Sequence, residues 1–308
     1  MKYSLKSLLI IGLIFAIFMT SCSDSNDDLT PQQTETLEPG SGFYRYKYQN
    51  AGVEKELKVY YHIPLGIDTD ARILMTFHGG GRNARDYRNS IVSKSERYNF
   101  IVIAPEFSSA NFPGGDGYNL GNVFVDGDNP TTESLNPESD WAFSVIELLF
   151  DDVKSQVNNT SSTYDIYGHS AGGQFAHRLL MFKPSLRVDQ IVASASGWYT
   201  FPDVQISFPY GFADSPLQNS SLSSLLSRKL TLQVGENDNN PNALSLRRNS
   251  KADAQGTNRL KRAARFFEYS EDLASRNNNE FNWKFVIQPN ADHDYNLASE
   301  NAADLLYK

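Results

Sequence analysis

Gly168-His169-Ser170-Ala171-Gly172 sets a serine between small residues. A serine hydroxyl attacks a carbonyl carbon when a nearby base takes its proton and backbone donors hold the oxyanion that forms. In G-x-S-x-G the serine rides a sharp strand-to-helix turn in strained geometry, where bulky neighbours would collide. The five-residue pattern is weak on its own, and its setting is more specific. An apolar run, Tyr164 to Tyr167, precedes it, a helical stretch to about Phe182 follows, and Gly173 extends the small-residue run. The starting helix also directs its positive end at the serine. A second glycine-rich element, His78-Gly79-Gly80-Gly81, closes another apolar run 92 residues earlier.

The candidate base comes from five histidines. His62 falls in an early strand and His78 in the glycine-rich element. His169 adjoins the serine and projects differently from the turn. His177 lies seven residues along the following helix, about 10 Å away by helical rise, and is expected to pack on the sheet. That leaves His293, in the polar stretch Asn290-Ala291-Asp292-His293-Asp294.

These residues resemble the α/β-hydrolase superfamily. Within it the chain is similar to the polyhydroxybutyrate-depolymerase and feruloyl-esterase-like group, over roughly Leu57 to Leu306. The resemblance implies the order Ser, acid, His. It supports His293 as the base and puts the acid in the loop Gly235-Glu236-Asn237-Asp238. It favours Asp238 over Glu236, because relatives carry Asp a few residues past the glycine; Asp253 ranks third. Asp292 and Asp294 adjoin the base and are poorly placed to accept its Nδ1–H. The HGGG element implies backbone oxyanion donors near Gly80 and Gly81, with Ala171 N–H as the other. The implied reaction is cleavage of a carboxylic ester through an acyl-enzyme on Ser170, without metal or cofactor. The expected substrate is an acylated or feruloylated polysaccharide or a small ester. Two other readings stay open: a peptidase of the same fold, and a surface binding lipoprotein on an inactive hydrolase scaffold.

Positioning such a site takes a particular set of elements. Apolar runs at Leu57–Pro64, Arg72–Phe77, Phe100–Ala104, Tyr164–Tyr167, Gln190–Ala195, Lys229–Val234 and Trp283–Ile287 read as strands. Helical spacing covers Trp141–Val157, the stretch after Ser170, Asn258–Arg276 and Asn296–Leu306. Strands alternating with helices predict an α/β fold with a mostly parallel sheet flanked by helices. The expected catalytic domain is 42–308. Segments at the C-terminal ends of such strands surround the site, so Trp198, Tyr199 and Tyr210 are expected either to wall it or to cover the core. The loop with Asp116, Asp126, Asp128 and Asp140 lacks the ligand spacing of a calcium site and reads as solvated.

Lys2 and Lys6, an apolar run from Leu8 to Met19 and then Thr20-Ser21-Cys22 resemble a bacterial lipoprotein signal. That implies cleavage of residues 1–21, a lipid on Cys22 and a place in the cell envelope, with the lipid as the only membrane contact. The acidic stretch Ser23 to Asp28 resembles the tag of Bacteroidetes surface lipoproteins. Residues 22–41 read as a linker. Cys22 is the only cysteine, so the domain has no internal disulfide. The net charge is −8, and removing residues 1–21 takes away two lysines and no acid, leaving −10. That balance excludes nucleic acid as a partner. Nothing in the pattern specifies an oligomeric state.

Overall fold

The computed structural model describes residues 36–50 and 52–308. The expected leader, Cys22 and most of the expected linker lie outside the described residues. Among the described residues no helix is long and apolar enough to cross a membrane.

Eight strands form one sheet: β1 (Gly40–Asn50), β2 (Val53–Ile63), β3 (Ile73–Phe77), β4 (Ile101–Glu106), β5 (Tyr164–His169), β6 (Val188–Ser194), β7 (Lys229–Gly235) and β8 (Lys284–Gln288). Their order is β1-β2-β4-β3-β5-β6-β7-β8. The first two pairings, β1 with β2 and β2 with β4, are antiparallel, and the other five are parallel. The helices are α1 (Ala84–Asn89), α2 (Val92–Tyr98), α3 (Val145–Gln156), α4 (Ala171–Phe182), α5 (Leu222–Leu226), α6 (Ser250–Gln255), α7 (Arg259–Arg276) and α8 (Tyr295–Tyr307).

The central strands are apolar at consecutive positions because both faces of the sheet are covered. Successive side chains point to opposite faces. Ile73, Met75 and Phe77 of β3, Ile166 of β5 and Ile191 of β6 therefore enter a large core with α3, α4 and α7. Leu74, Tyr167 and Val192, their neighbours in sequence, enter a smaller core with α1 and α8.

The start of the domain differs from expectation. Leu37 is buried, its N–H bonds to the Gln156 carbonyl, and β1 begins at Gly40, so the fold starts ahead of residue 42. Tyr44, Tyr46 and Tyr48 alternate along β1 on the core side, with Arg45 and Lys47 between them. The Tyr44 hydroxyl donates to Asp152 on α3 at 2.8 Å. The strand read from Leu57 to Pro64 thus lies inside the sheet, flanked by β1 and β4.

Ser170 follows β5, whose neighbours are β3 and β6. The glycine-rich element leaves the C-terminal end of β3, and the segments with Asp238 and His293 leave the same ends of β7 and β8. A parallel sheet therefore delivers every candidate residue to one edge. Helix α4 comes close to β3 only because Gly172 has no side chain. A Cβ there would meet the Phe77 carbonyl oxygen at 2.0 Å and that of His78 at 2.8 Å. Gly172→Ala is expected to destabilise the fold by about 3 kcal/mol, since backbone must move. Gly80→Ala meets nothing within 4 Å and is expected to change stability by less than about 0.5 kcal/mol. Equal urea midpoints for the two variants would contradict this packing.

Candidate active site

Ser170 has φ 57 and ψ −114, a conformation that sterics forbid to a free L-residue. The surroundings impose it. Ser170 N–H donates to the Ser194 carbonyl on β6 at 2.9 Å, and the Ser170 carbonyl accepts from Gln174 N–H at 3.0 Å. A Cβ on Gly168 would lie 2.2 Å from the Gly172 carbonyl oxygen, and one on Gly173 would lie 2.4 Å from that of Ser194. The serine hydroxyl does not cap α4. It points instead to His293, with Oγ 3.1 Å from Nε2.

His293 Nδ1 lies 2.7 Å from Asp238 Oδ2. A carboxylate only accepts, so Nδ1 carries the proton and Nε2 offers its lone pair to the serine hydroxyl. The His293 side chain is 25% exposed and that of Asp238 3%. The other Asp238 oxygen accepts from Arg259 Nη1 at 3.1 Å. The two loops are tied together by Glu236 N–H to the Gln288 carbonyl and Asn237 N–H to the Ala291 carbonyl. Gly235 allows that contact, because a Cβ there would lie 2.4 Å from the Ala291 oxygen.

The competing acids are engaged elsewhere. Glu236 accepts from Asn290 N–H at 2.9 Å, which holds the loop that carries the histidine. Asp292 accepts from His293 N–H at 2.7 Å, and Asp294 caps α8 through Asn296 N–H. Asp253 pairs with Arg248 and Arg262.

The other histidines have structural bonds. His62 sits between Ser41 and Glu96. His177 donates from Nδ1 to the Gly173 carbonyl and accepts from Thr200 N–H at Nε2. His169 shares a hydrogen bond with the Tyr87 hydroxyl at 3.1 Å, and its ring packs 4.5 Å from that of His293. Burial holds the imidazoles of His169 and His177 well below their ordinary range. His78 donates from Nδ1 to the Gly79 carbonyl and accepts from Phe107 N–H at Nε2. Burial pushes its pKa down to about 4. Five histidines thus leave one that reaches the serine.

The glycine-rich element turns at Gly79–Arg82, with Arg82 N–H donating to the Gly79 carbonyl at 3.1 Å. A Cβ on Gly79 would lie 3.6 Å from Ser170 Cβ, so this backbone runs beside the serine. Gly80 and Gly81 are exposed in the turn. Ala171 is the first residue of α4, where a helix leaves its N–H groups without intrahelical partners. Sequence reasoning missed Arg82. Its guanidinium donates to the carbonyls of Phe107, Phe112 and Gly114 and lies 4.4 Å from the Tyr118 ring centre. Tyr118 in turn donates to the His78 carbonyl at 2.7 Å. The arginine beside the glycines was the available signal; its partners, some 25 to 32 residues on, were not.

The aromatic wall is corrected. Trp198, Tyr199 and Tyr210 are only 3%, 0% and 4% exposed, which leaves no face for a ligand. Tyr199 stacks on Phe266, and Gln255 bonds its backbone on both sides. Trp198 packs between Arg178, Arg247 and Tyr210. The segment after β6 folds under α6 and α7 and covers the core. In the acidic loop Asp116 accepts from Gly127 N–H, Asp126 from Asp128 N–H, and Asp128 pairs with Arg247. The Asp140 carbonyl accepts from the Asn122 side chain. Among the described residues no group of three or more His, Cys, Asp or Glu is placed to hold a metal ion.

No family model and no curated protein matches the chain. Solved structures do. Poly(aspartic acid) hydrolase-1 from Sphingomonas sp. KT-1 is 36% identical with a TM-score of 0.81, covering 88% of this chain and 100% of that one. The chain belongs to the α/β-hydrolase family. Poly(3-hydroxybutyrate) depolymerase from Bordetella parapertussis is 26% identical to this hydrolase, with a TM-score of 0.78 over 87% and 89% of the two chains. A siderophore hydrolase from Aspergillus nidulans, at 16% identity and a TM-score of 0.53 over 87% and 94%, shares the fold.

Buried neutral histidines make the stability of this hydrolase depend on pH. The unfolded His78 ring protonates below its ordinary value of 6.5, whereas the folded ring resists protonation down to about 4. The stabilisation is complete above pH 6.5 and is lost as pH falls toward 4. Between about pH 7.5 and 5 this ring alone removes roughly 2 kcal/mol. His78→Gln keeps an acceptor for Phe107 N–H without the titration. Its unfolding free energy in urea is expected to fall less over that interval by about the same amount. An equal fall in both proteins would contradict the assignment.

Proposed function

We propose that this hydrolase cleaves carboxylic esters through an acyl-enzyme on Ser170. The observation that carries the reading is the hydrogen-bonded line from Ser170 through His293 to Asp238, starting at a strained turn. His293 Nε2 takes the hydroxyl proton as Ser170 Oγ bonds to the ester carbonyl carbon. The carbonyl oxygen becomes an oxyanion, held by Ala171 N–H and by N–H groups of the Gly80–Gly81 turn. Asp238 keeps the imidazole in the Nδ1–H tautomer and stabilises its cation. The imidazolium gives its proton to the departing alcohol as the C–O bond breaks. Water then attacks the acyl-serine, losing its proton to His293, and Ser170 leaves with that proton.

The likeness to a poly(3-hydroxybutyrate) depolymerase supports this reading. Acylated polysaccharides and small esters fit the same chemistry. The Thr20-Ser21-Cys22 sequence supports a lipid anchor and action at the cell envelope, outside the cytoplasm. A second reading, cleavage of amide links, is favoured by the 36% identity to a poly(aspartic acid) hydrolase. A non-catalytic scaffold would have no need to keep three side chains in line.

Purified protein offered p-nitrophenyl esters, acetylated xylan, methyl ferulate, hydroxybutyrate oligomers and poly(aspartic acid) separates these readings. Turnover of poly(aspartic acid) with no ester turnover would move the assignment to amides. With an ester substrate, Asp238→Asn is expected to lower kcat by roughly 100- to 10,000-fold, and His293→Ala by at least as much. Glu236→Gln is expected to stay within about threefold of wild type, because Glu236 acts on a loop N–H. A large loss in Glu236→Gln with none in Asp238→Asn would transfer the acid to Glu236.

A further inference from the structure

Asp238 has two carboxylate oxygens, and only Oδ2 faces His293. Oδ1 accepts from Arg259 Nη1 at 3.1 Å, while Arg259 Nη2 donates to Ser245 Oγ at 2.8 Å. The Arg259 and Asp238 side chains are 2% and 3% exposed, so water does not screen the pair. Arg259 is also the first residue of α7, an 18-residue helix. A helix N-terminus carries partial positive charge, so a buried cation there is unfavourable unless an anion offsets it. Arg259 Nε has no partner at all. Leu260 N–H donates to the Asp238 carbonyl at 3.2 Å, and Asn258 caps the helix through Lys261 N–H. Start of helix and carboxylate are built as one unit, and helix stability alone gives no reason for an arginine at this position.

We propose that Arg259 is a positioning residue for the hydrolytic site: it turns Asp238 Oδ2 to His293 and withdraws part of the carboxylate charge from the imidazole. This rests on the ester-hydrolase reading above. Without Arg259, Asp238 is free to turn about its side-chain bonds and to offer either oxygen to other donors. With it, the negative charge beside His293 is partly balanced by the guanidinium on the other carboxylate oxygen.

The groups facing His293 are few. Asp238 comes from the β7 loop, and Ser170 and the neutral ring of His169 come from β5 and its turn. Asp292 and Asp294 lie in its own loop, bound to backbone N–H groups. Tyr87 of α1 stands behind His169, with Tyr295 of α8 stacked on it. Arg259 brings positive charge from α7, and that charge reaches the site. After burial and His293 itself, it contributes to holding the His169 ring below its ordinary range.

The test is the pH profile of kcat/KM on a p-nitrophenyl ester for wild type, Arg259→Met, Arg259→Gln and Arg259→Lys, with folding checked by circular dichroism. Arg259→Met is expected to lower kcat about tenfold or more with KM changed less than about threefold. Its acid limb is expected to move up by about half a pH unit or more. Arg259→Gln keeps a donor without the charge, so it shows the same displacement of the limb with a smaller rate loss. Arg259→Lys keeps the charge and leaves the limb in place, but its ammonium cannot bridge Asp238 and Ser245 as the fork does, and kcat falls several-fold. In an Asp238→Asn background Arg259→Met is expected to cost nothing further. A folded Arg259→Met or Arg259→Gln with wild-type kcat and limb overturns the proposal, as does an undiminished cost in the Asp238→Asn background. If both neutral variants fail to fold, Arg259→Lys decides, and wild-type kcat there overturns it. A wild-type protein inert toward every ester sinks the ester reading and this proposal together. An active wild type unaffected at Arg259 sinks this proposal alone.

Discussion

The backbone at Ser170 is held where an unconstrained L-residue does not go, and much of the molecule serves to hold it there. Three glycines around it allow α4 to approach β3, β5 and β6 closer than any Cβ permits. The order β3-β5-β6 puts the glycine-rich turn on one side of the serine and Ser194 on the other. Strain at one residue is thereby offset by two packed cores, and the hydroxyl is left aimed at His293 rather than bonded to its own helix.

The same economy of placement governs the polar groups. Four of the five histidines are bound structurally, and three of these are kept neutral by burial. Four of the five acids near the base or weighed for its partner serve loop backbone, a helix cap or arginines. What remains is one histidine, one carboxylate and one serine hydroxyl within hydrogen-bonding distance of one another. The selectivity lies in where every other donor and acceptor has gone. Arg82 and Arg259 extend this arrangement outward, one tying the loop after β4 to the glycine-rich turn, the other tying α7 to Asp238.

Much of this was legible in the sequence because it is local. The strand before Ser170, the glycines round it and the apolar runs of β3 to β8 follow from periodicity and small-residue spacing. β1 was also legible in principle, since Tyr44, Tyr46 and Tyr48 alternate with Arg45 and Lys47, but it adjoins a polar segment that drew the boundary too late. The aromatic segment misled because strand ends face a site in this fold, while Tyr199 is folded under α7 by contacts with Phe266 and Gln255. Arg259 was beyond reach: its partner Asp238 lies 21 residues away, and helix N-termini give no reason to expect a buried arginine. In sequence it reads as one more charge on a basic helix.

The account stands on Ser170 being a nucleophile activated by His293. The most direct measurement is the intact mass of the protein after exposure to a fluorophosphonate, with the adduct mapped by peptide sequencing. The account predicts one adduct per chain, located on Ser170, absent in Ser170→Ala and formed far more slowly in His293→Ala. No adduct on folded protein, or one that persists in Ser170→Ala, would contradict it.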